Sequence, residues 1–265
     1  MAADVSIIVP AYNMERFLVE TLDSIEAEIK PTSLAVEVIV MDDGSTDGSL
    51  ALARNYAAHH ANIRVLTQPN AGPSVARNRA INEATGRYIF PLDADDLLGA
   101  GFLEHAVQIL DTDPEVKAVC GEDLFFGEKQ GPWRLPRFSR TLLARRNLIC
   151  VSALYRRTDW ERVGGYCEEL VGYEDWDFWL SIFKGGGRVV RLSCPAIHYR
   201  IRSGSKRIAD RKRKRETIDL LNRRHAGFFE QVLCGPLHYQ RTWSKPLNLL
   251  TKWGRKLGLV RKQHE

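Results

Sequence analysis

The sequence predicts an α/β fold with a mostly parallel central sheet and helices on both faces. Two patterns carry that prediction. Short apolar runs rich in β-branched residues alternate with longer amphipathic segments through residues 5–121. Polar motifs follow the carboxyl ends of three of those runs, which is where open α/β sheets bind ligands.

Taken in order, Val5–Val9 reads as a strand ended by Pro10. Met14–Ile29 reads as a helix, since Phe17, Leu18, Leu22, Ile25 and Ile29 recur at helical spacing. Val36–Met41 is a second strand. Asp42-Asp43-Gly44-Ser45 is a turn, after which Ser45 or Thr46 is expected to cap a helix over Asp47–His59. Ile63–Thr67 is a strand, Gly72–Ala84 a helix, Arg87–Pro91 a strand, Gly101–Leu110 a helix and Val116–Gly121 a strand. The pattern then changes. Phe125–Arg140 has no clear period. Cys150–Tyr155, Arg188–Leu192 and Ala196–Ile201 read as strands, and Thr158–Val163 and Glu174–Phe183 as helices. This second half is expected to extend the sheet and wall the cleft. Residues 1–205 are expected to form one domain, and 206–265 a basic helical extension.

A chain of 265 residues with 44% hydrophobic and 27% charged residues can bury a substantial core. No apolar run reaches the length of a membrane span, and the start does not read as a signal peptide. The five cysteines are odd in number, widely spaced and without a Cys-x-x-Cys pair. This argues against a disulfide framework or zinc site and for a reducing, cytoplasmic setting. The net charge of +5 is unevenly shared: residues 1–200 carry −7 and residues 201–265 carry +12. A basic tail on a mildly acidic body calls for an anionic partner.

The motifs narrow the chemistry. In Asp93-Ala94-Asp95, two carboxylates on one turn can divide their work. One ligates Mg²⁺ or Mn²⁺ bridged to phosphate, and the other accepts from a hydroxyl. Asp42-Asp43 and Ala11-Tyr12-Asn13 sit at the same end of the expected sheet. Asn70-Ala71-Gly72 opens a helix whose free N–H groups favour an anion, with Arg77 one turn in. Glu174-Asp175 begins an aromatic helix, where Asp175 can serve as a base and Trp176 or Trp179 can stack on a sugar or pack in the core. His198 precedes Arg200 on a late strand and can add a metal ligand. Each motif alone also fits a plainer role: an acidic turn, a helix cap, a solvated arginine, a packed histidine.

Together these residues resemble glycosyltransferase family 2, with its nucleotide-sugar-binding GT-A fold, over roughly residues 4–201. The matching pieces are Ser6 to Asn13, Val38 to Asp47, Asn70 to Asn78, Asp93 to Asp96, Gly164-Gly165-Tyr166 and Glu174-Asp175. The resemblance implies that Ala11, Tyr12, Asn13 and Glu15 line the donor site and that Asp43 bonds the base ring. It implies that Arg77 faces the diphosphate with Glu174 nearby, that Asp93 meets ribose and that Asp95, with His198, holds Mg²⁺ or Mn²⁺. Asp175 would be the base in a direct, inverting displacement of a hexosyl or N-acetylhexosaminyl group from a UDP-sugar. A saccharide or lipid-linked acceptor in surface polysaccharide or lipopolysaccharide assembly is implied as well. The Gln-x-x-Arg-Trp motif and spans of processive members are absent, which implies single transfers.

The stretch from Pro246 to Lys262 mixes Leu and Trp with Lys and Arg, a composition suited to a helix at an anionic membrane surface, or to one packed on the domain. Two other classes stay open at this point: an inactive scaffold, and a nucleic-acid binder acting through the basic tail.

Overall fold

The computed structural model describes residues 3–170, 172–202 and 214–257. Its centre is a five-stranded sheet in the order β3-β2-β1-β4-β9. The strands are β1 (Val5–Ala11), β2 (Val36–Asp42), β3 (Ile63–Thr67), β4 (Tyr88–Pro91) and β9 (Tyr155–Arg156), of which only β9 runs antiparallel. β1 and β2 are near-continuous hydrophobic runs because helices cover both of their faces: Val5, Ile7, Ile8, Val9 and Val38–Met41 are all fully buried. Helices α1 (Leu18–Ile29), α2 (Ser49–Ala57), α3 (Pro73–Asn82) and α4 (Leu103–Thr112) supply the cover.

The chain places β2 on one side of β1 and β4 on the other, so the strand order reverses at β1. The β1–β4 ladder stops at Ile8 and Pro91, while β1 and β2 stay paired to Ala11 and Asp42. The loops after β1, β2 and β4 therefore diverge around one crevice at the topological switch point.

The second half departs from the expected extension of the sheet. β6 (Val116–Cys120) pairs with β10 (Arg188–Arg191), joined to β9's neighbourhood by a Val119–Leu154 bridge. The other strands form a separate sheet in the order β5-β11-β7-β8, built from β5 (Leu97–Leu98), β7 (Leu124–Gly127), β8 (Gly131–Pro132) and β11 (Ile197–Ile201). The expected strand over Cys150–Tyr155 shrinks to β9 and that bridge. Its apolar residues are buried in extended loop chain rather than laddered.

Helix α7 (Glu174–Phe183) is apolar on every side after its first turn, and Trp176 to Phe183 are all buried. It packs beside α6 (Arg157–Val163), near the short α5 (Arg140–Leu143), and Phe178 stacks on Tyr166 at 4.4 Å. Trp176 and Trp179, at 1% and 0% exposure, belong to this core and not to a sugar platform. Three further helices follow: α8 (Lys214–Arg224), α9 (Ala226–Leu233) and α10 (Ser244–Lys256). The expected domain boundary at 205/206, most of the basic run 211–215 and residues 258–265 lie outside the described residues.

Candidate active site

The crevice is built from loops locked to one another. After β1, Asn13 adopts a left-handed φ of 54°. Its N–H donates to Ser45 Oγ at 3.0 Å, and its Oδ1 accepts from Thr46 N–H at 2.8 Å. Asp47 Oδ1 accepts the Ser49 N–H at 3.0 Å and Glu15 reaches across to accept the Gly48 N–H at 2.9 Å, so these two acids, and not Ser45 or Thr46, satisfy the entry to α2. Ala11 is buried and its carbonyl accepts the Asp43 N–H at 2.8 Å. Tyr12 is left 40% exposed on the crevice rim.

The two acids after β2 do different things. The Asp43 carboxylate accepts from Gln68 Nε2 at 2.7 Å, Ala71 N–H at 2.8 Å and Gly72 N–H at 2.9 Å. It is spent on holding the loop that leads into α3. Asp42 accepts weakly at Oδ2, from Ser45 N–H and Thr67 Oγ1 at 3.3 Å each. Its Oδ1, together with Oε1 of Gln68, is buried without a hydrogen-bond partner. Two orphaned acceptors near Tyr12 call for a ligand carrying N–H donors. Sequence reading chose Asp43 for that contact; the free acceptor is on Asp42.

Arg77 is the centre of the site. It is 4% exposed and divides its guanidinium between Asp93 Oδ1 at 2.7 Å and Glu174 Oε1 at 3.0 Å. Burial opposes its charge, but the two carboxylates outweigh burial and raise its pKa. One cation thus ties the loop after β4 to the start of α7. Asn78, one residue along α3, does similar work with neutral groups: its Oδ1 accepts the Tyr166 N–H at 2.8 Å and its Nδ2 donates to the Tyr166 carbonyl at 2.9 Å. Gly165, at φ 77°, packs so close that a Cβ there would lie 2.6 Å from Asn78 Oδ1. That accounts for a glycine in Gly164-Gly165-Tyr166.

The Asp93–Asp96 turn concentrates negative charge. Asp95 has its pKa raised by burial and by the charge of Asp93. Asp96 is raised further, by burial and by both neighbouring acids. The counter-charges come from the strand β11 side. Arg202 Nε donates to Asp95 Oδ2 at 2.7 Å, Arg200 Nε to the Asp95 carbonyl at 2.7 Å, and the Arg200 N–H to Asp96 Oδ1 at 2.8 Å. Both guanidinium groups lie over the Phe17 ring, at 4.9 Å and 5.1 Å. His198 sits one strand repeat before Arg200 with its ring edge-on to Phe126 at 6.4 Å. Arg202, rather than His198, reaches the Asp95 carboxylate. Arg202 carried no signal beyond its period-two spacing from His198 and Arg200.

Asp175 opens α7 behind Tyr173, a non-glycine residue held at φ 61°. Its Oδ2 accepts from Asn147 Nδ2 at 2.6 Å and its Oδ1 from the Trp176 N–H at 2.7 Å. Burial and the adjacent Glu174 charge push its pKa up to about 7. A carboxyl with that pKa is suited to taking a proton near neutral pH. Asn147 lies in the loop after α5, in a region without periodicity, and was invisible to sequence reading.

No group of three or more His, Cys, Asp or Glu side chains among the described residues is arranged to hold a metal ion by itself. The Asp95 donor set is nevertheless that of a hard cation. Mg²⁺ and Mn²⁺ sites that work on phosphates often use one or two carboxylates, the phosphate oxygens completing the shell. The excess charge at Asp93–Asp96 fits a cation in that role.

Known proteins share this fold. The model of Glycosyl transferase family 2 matches residues 6–173. The chain is 32% identical over 216 residues to the glycosyltransferase EpsJ of Bacillus subtilis (strain 168), covering 74% of this chain and 60% of EpsJ. It is 38% identical over 129 residues to the glycosyltransferase YibD of Escherichia coli (strain K12), covering 49% and 37%. The chain therefore spans only part of these relatives' lengths. Among solved structures, S. aureus TarS 1-349 in complex with UDP-GlcNAc superposes with a TM-score of 0.71 at 21% identity, over 95% of this chain and 73% of that one. The mannosyltransferase PcManGT from Pyrobaculum calidifontis, in complex with GDP-Man and Mn²⁺, gives 0.62 at 24% identity, over 98% and 77%. The sheet, its switch-point crevice and the matched residues make this chain a member of glycosyl transferase family 2, with the GT-A fold.

Proposed function

We propose that the protein transfers a single sugar, with inversion, from a nucleoside-diphosphate sugar to a hydroxyl of a saccharide or lipid-linked acceptor. A UDP-sugar is the expected donor. The observation that carries this reading is the Arg77 bridge, which fastens Asp93 to Glu174 and so brings the acidic turn and the Asp175 base into one cleft. The donors bound by TarS and PcManGT, UDP-GlcNAc and GDP-Man, support the class of substrate.

In this mechanism the nucleobase lies on Tyr12 and donates its ring N–H toward Asp42, with Asp43 holding the wall behind it. Asp93 accepts from the ribose. Asp95 would hold the divalent cation, which would supply neutralising charge for the departing diphosphate. Arg202, beside Asp95, and Arg200 supply further positive charge on the same side. Arg77 positions the two acids and does not itself meet phosphate. On the opposite side Asp175 accepts the acceptor's O–H hydrogen bond and takes its proton as the oxygen attacks the anomeric carbon. The bond from that carbon to the phosphate oxygen breaks with its electron pair on the diphosphate, and the new glycosidic bond forms on the opposite face.

Nucleotide release from a panel of nucleotide sugars, with Mn²⁺ or Mg²⁺ and with chelator, tests this reading without the true acceptor. Release from one donor that chelator abolishes, and that Asp95→Asn removes, is the expected result. Metal-independent release at full rate would overturn the cation's place in it. Absence of both release and donor binding across the panel would overturn the donor class.

A further inference from the structure

The last helix is inside out. In α10 the residues turned toward the body are polar: Ser244 is 0% and Asn248 5% exposed. Asn248 donates to the Leu233 and Pro236 carbonyls at 3.0 and 2.9 Å, and pairs with His238 Nε2 at 2.7 Å. These bonds fix the rotation of the helix. Its large apolar side chains consequently face out: Leu250 at 68% and Trp253 at 67%, with Leu249 alongside at 40%. Trp243 at 61%, at the end of the 3-10 turn Arg241–Trp243, and Leu257 at 65%, just past the helix, extend this exposed apolar stripe at its two ends.

We propose that this stripe seats the protein on an anionic phospholipid surface. The segment Ser244–Lys256 contains no acidic residue, and Lys245, Lys252 and Lys256 run along one flank of the stripe, Lys252 also donating to Glu230 of α9 at 2.5 Å. Apolar side chains outward, two tryptophans among them and a lysine border match a bilayer interface with anionic headgroups. A protein partner fits less well, because lysine is depleted from the cores of protein interfaces. No helix among the described residues is long and apolar enough to cross a membrane, so the helix lies on the surface and does not span it.

The position of the stripe gives it a use. Arg241, two residues before Trp243, lies over the rings of Trp176 and Tyr173 at 5.0 and 5.7 Å. Tyr173 and Trp176 bracket Glu174 and Asp175. The lipid face therefore adjoins the end of the cleft where the base stands, and a lipid-linked acceptor would enter from it. That last step rests on the transferase reading; lipid binding itself does not.

The test is flotation of the full chain with vesicles of phosphatidylcholine alone and with a quarter phosphatidylglycerol, alongside the double variant Leu250→Glu/Trp253→Glu. Both positions are exposed, so the variant keeps its fold, checked by its melting curve. The expected result is binding to the anionic vesicles that is at least tenfold weaker on neutral ones, falls with salt, and drops about tenfold or more in the variant. Equal distribution of wild type and variant, or no binding to either vesicle, would overturn the proposal. So would a concentration-dependent dimer in sedimentation equilibrium that the variant dissolves, since the stripe would then belong to a second copy. Nucleotide-sugar hydrolysis measured in parallel shows whether the catalytic reading fails separately.

Discussion

Asp175, half-buried, and Asp177, fully buried, stand two residues apart on one helix, yet their charges are treated in opposite ways. Asp175 meets only neutral donors, Asn147 and a backbone N–H, beside the like charge of Glu174, and its pKa climbs to about 7. Asp177 is fully buried on the other side. It accepts from Arg224 Nε at 2.8 Å and Nη2 at 3.1 Å, and pairs with His225 Nε2 at 2.8 Å. Burial pushes its pKa up, but these hydrogen bonds and charges outweigh burial and lower it. The comparison separates two uses of a carboxylate on one helix. The first is left under-compensated so that a proton is worth taking. The second is fully compensated and fastens α8 and α9 to α7. Burial alone does not identify a base; the character of the partners does.

Replacing the two acids should break the molecule in different places. Asp175→Asn is expected to lower kcat by about a thousandfold, roughly 4 kcal/mol of barrier, because no group remains to accept the acceptor's proton. The same change should leave the protein as stable or more stable, by on the order of 1 kcal/mol, since it removes a half-buried charge next to Glu174. Asp177→Asn should do the reverse. It strands the buried His225 and the Arg224 guanidinium, and should cost roughly 2 kcal/mol. That is less than a fully buried pair would lose, because the Arg224 side chain is 34% exposed. Its kcat, measured on folded protein, should stay within about threefold of wild type. Urea denaturation and transferase assays on both variants decide the matter. A stable but inactive Asp177→Asn would give that residue a part in the chemistry and dissolve the contrast.

The pH dependence sharpens the same difference. The Asp175 pKa is raised on folding, so between its unfolded value near 4 and about 7 the native state binds the extra proton. Stability contributed there falls as pH rises through 7, while activity rises. The Asp177 pKa is lowered. Its contribution is fully present above about pH 4 and is lost as pH falls through the lower, folded value. Wild type should therefore gain kcat/KM with an acid limb near pH 7, and lose its C-terminal helices only in much stronger acid. Hydrogen exchange in α8 and α9 followed from pH 8 downward reads the second event. Protection lost near neutral pH would show that Asp177 is not what holds them.

How much of this was legible in the sequence follows from how local each interaction is. The strands β1, β2 and β4 were plain because a parallel strand buried on both faces must be largely apolar, and α7 kept its expected bounds, Glu174 to Phe183. The acids of the crevice were legible as motifs. Their division of labour was not. Whether Asp42 or Asp43 keeps a free oxygen depends on donors from Gln68, Ala71 and Gly72, more than twenty residues away. Arg77 reads as a lone cation on a helix until Asp93 and Glu174 arrive from either side of it. The entry to α2 offered Ser45 and Thr46 as local caps, but Asp47 and, from the previous loop, Glu15 take that place. In the tail, composition suggested an amphipathic helix. Which face turned outward was set by hydrogen bonds from Asn248, and no hydrophobic pattern contains that information.

The smallest expected effect concerns Asn147. Its amide donates to the ionised form of Asp175, and a donor to the charged form holds a carboxyl pKa down. Asn147→Ala should therefore let the already raised pKa rise further, by up to about one unit, equivalent to about 1.4 kcal/mol. In kcat/KM the acid limb would move from near pH 7 toward 8. Activity would fall several-fold at pH 6.5 and recover almost fully at pH 9. A residue that only packed the loop after α5 would lower activity by the same factor at every pH. The shape of the profile thus decides between tuning the base and merely supporting it. If the limb stays where it is, the pKa of Asp175 is set by burial and Glu174 alone, and Asn147 is only a neighbour.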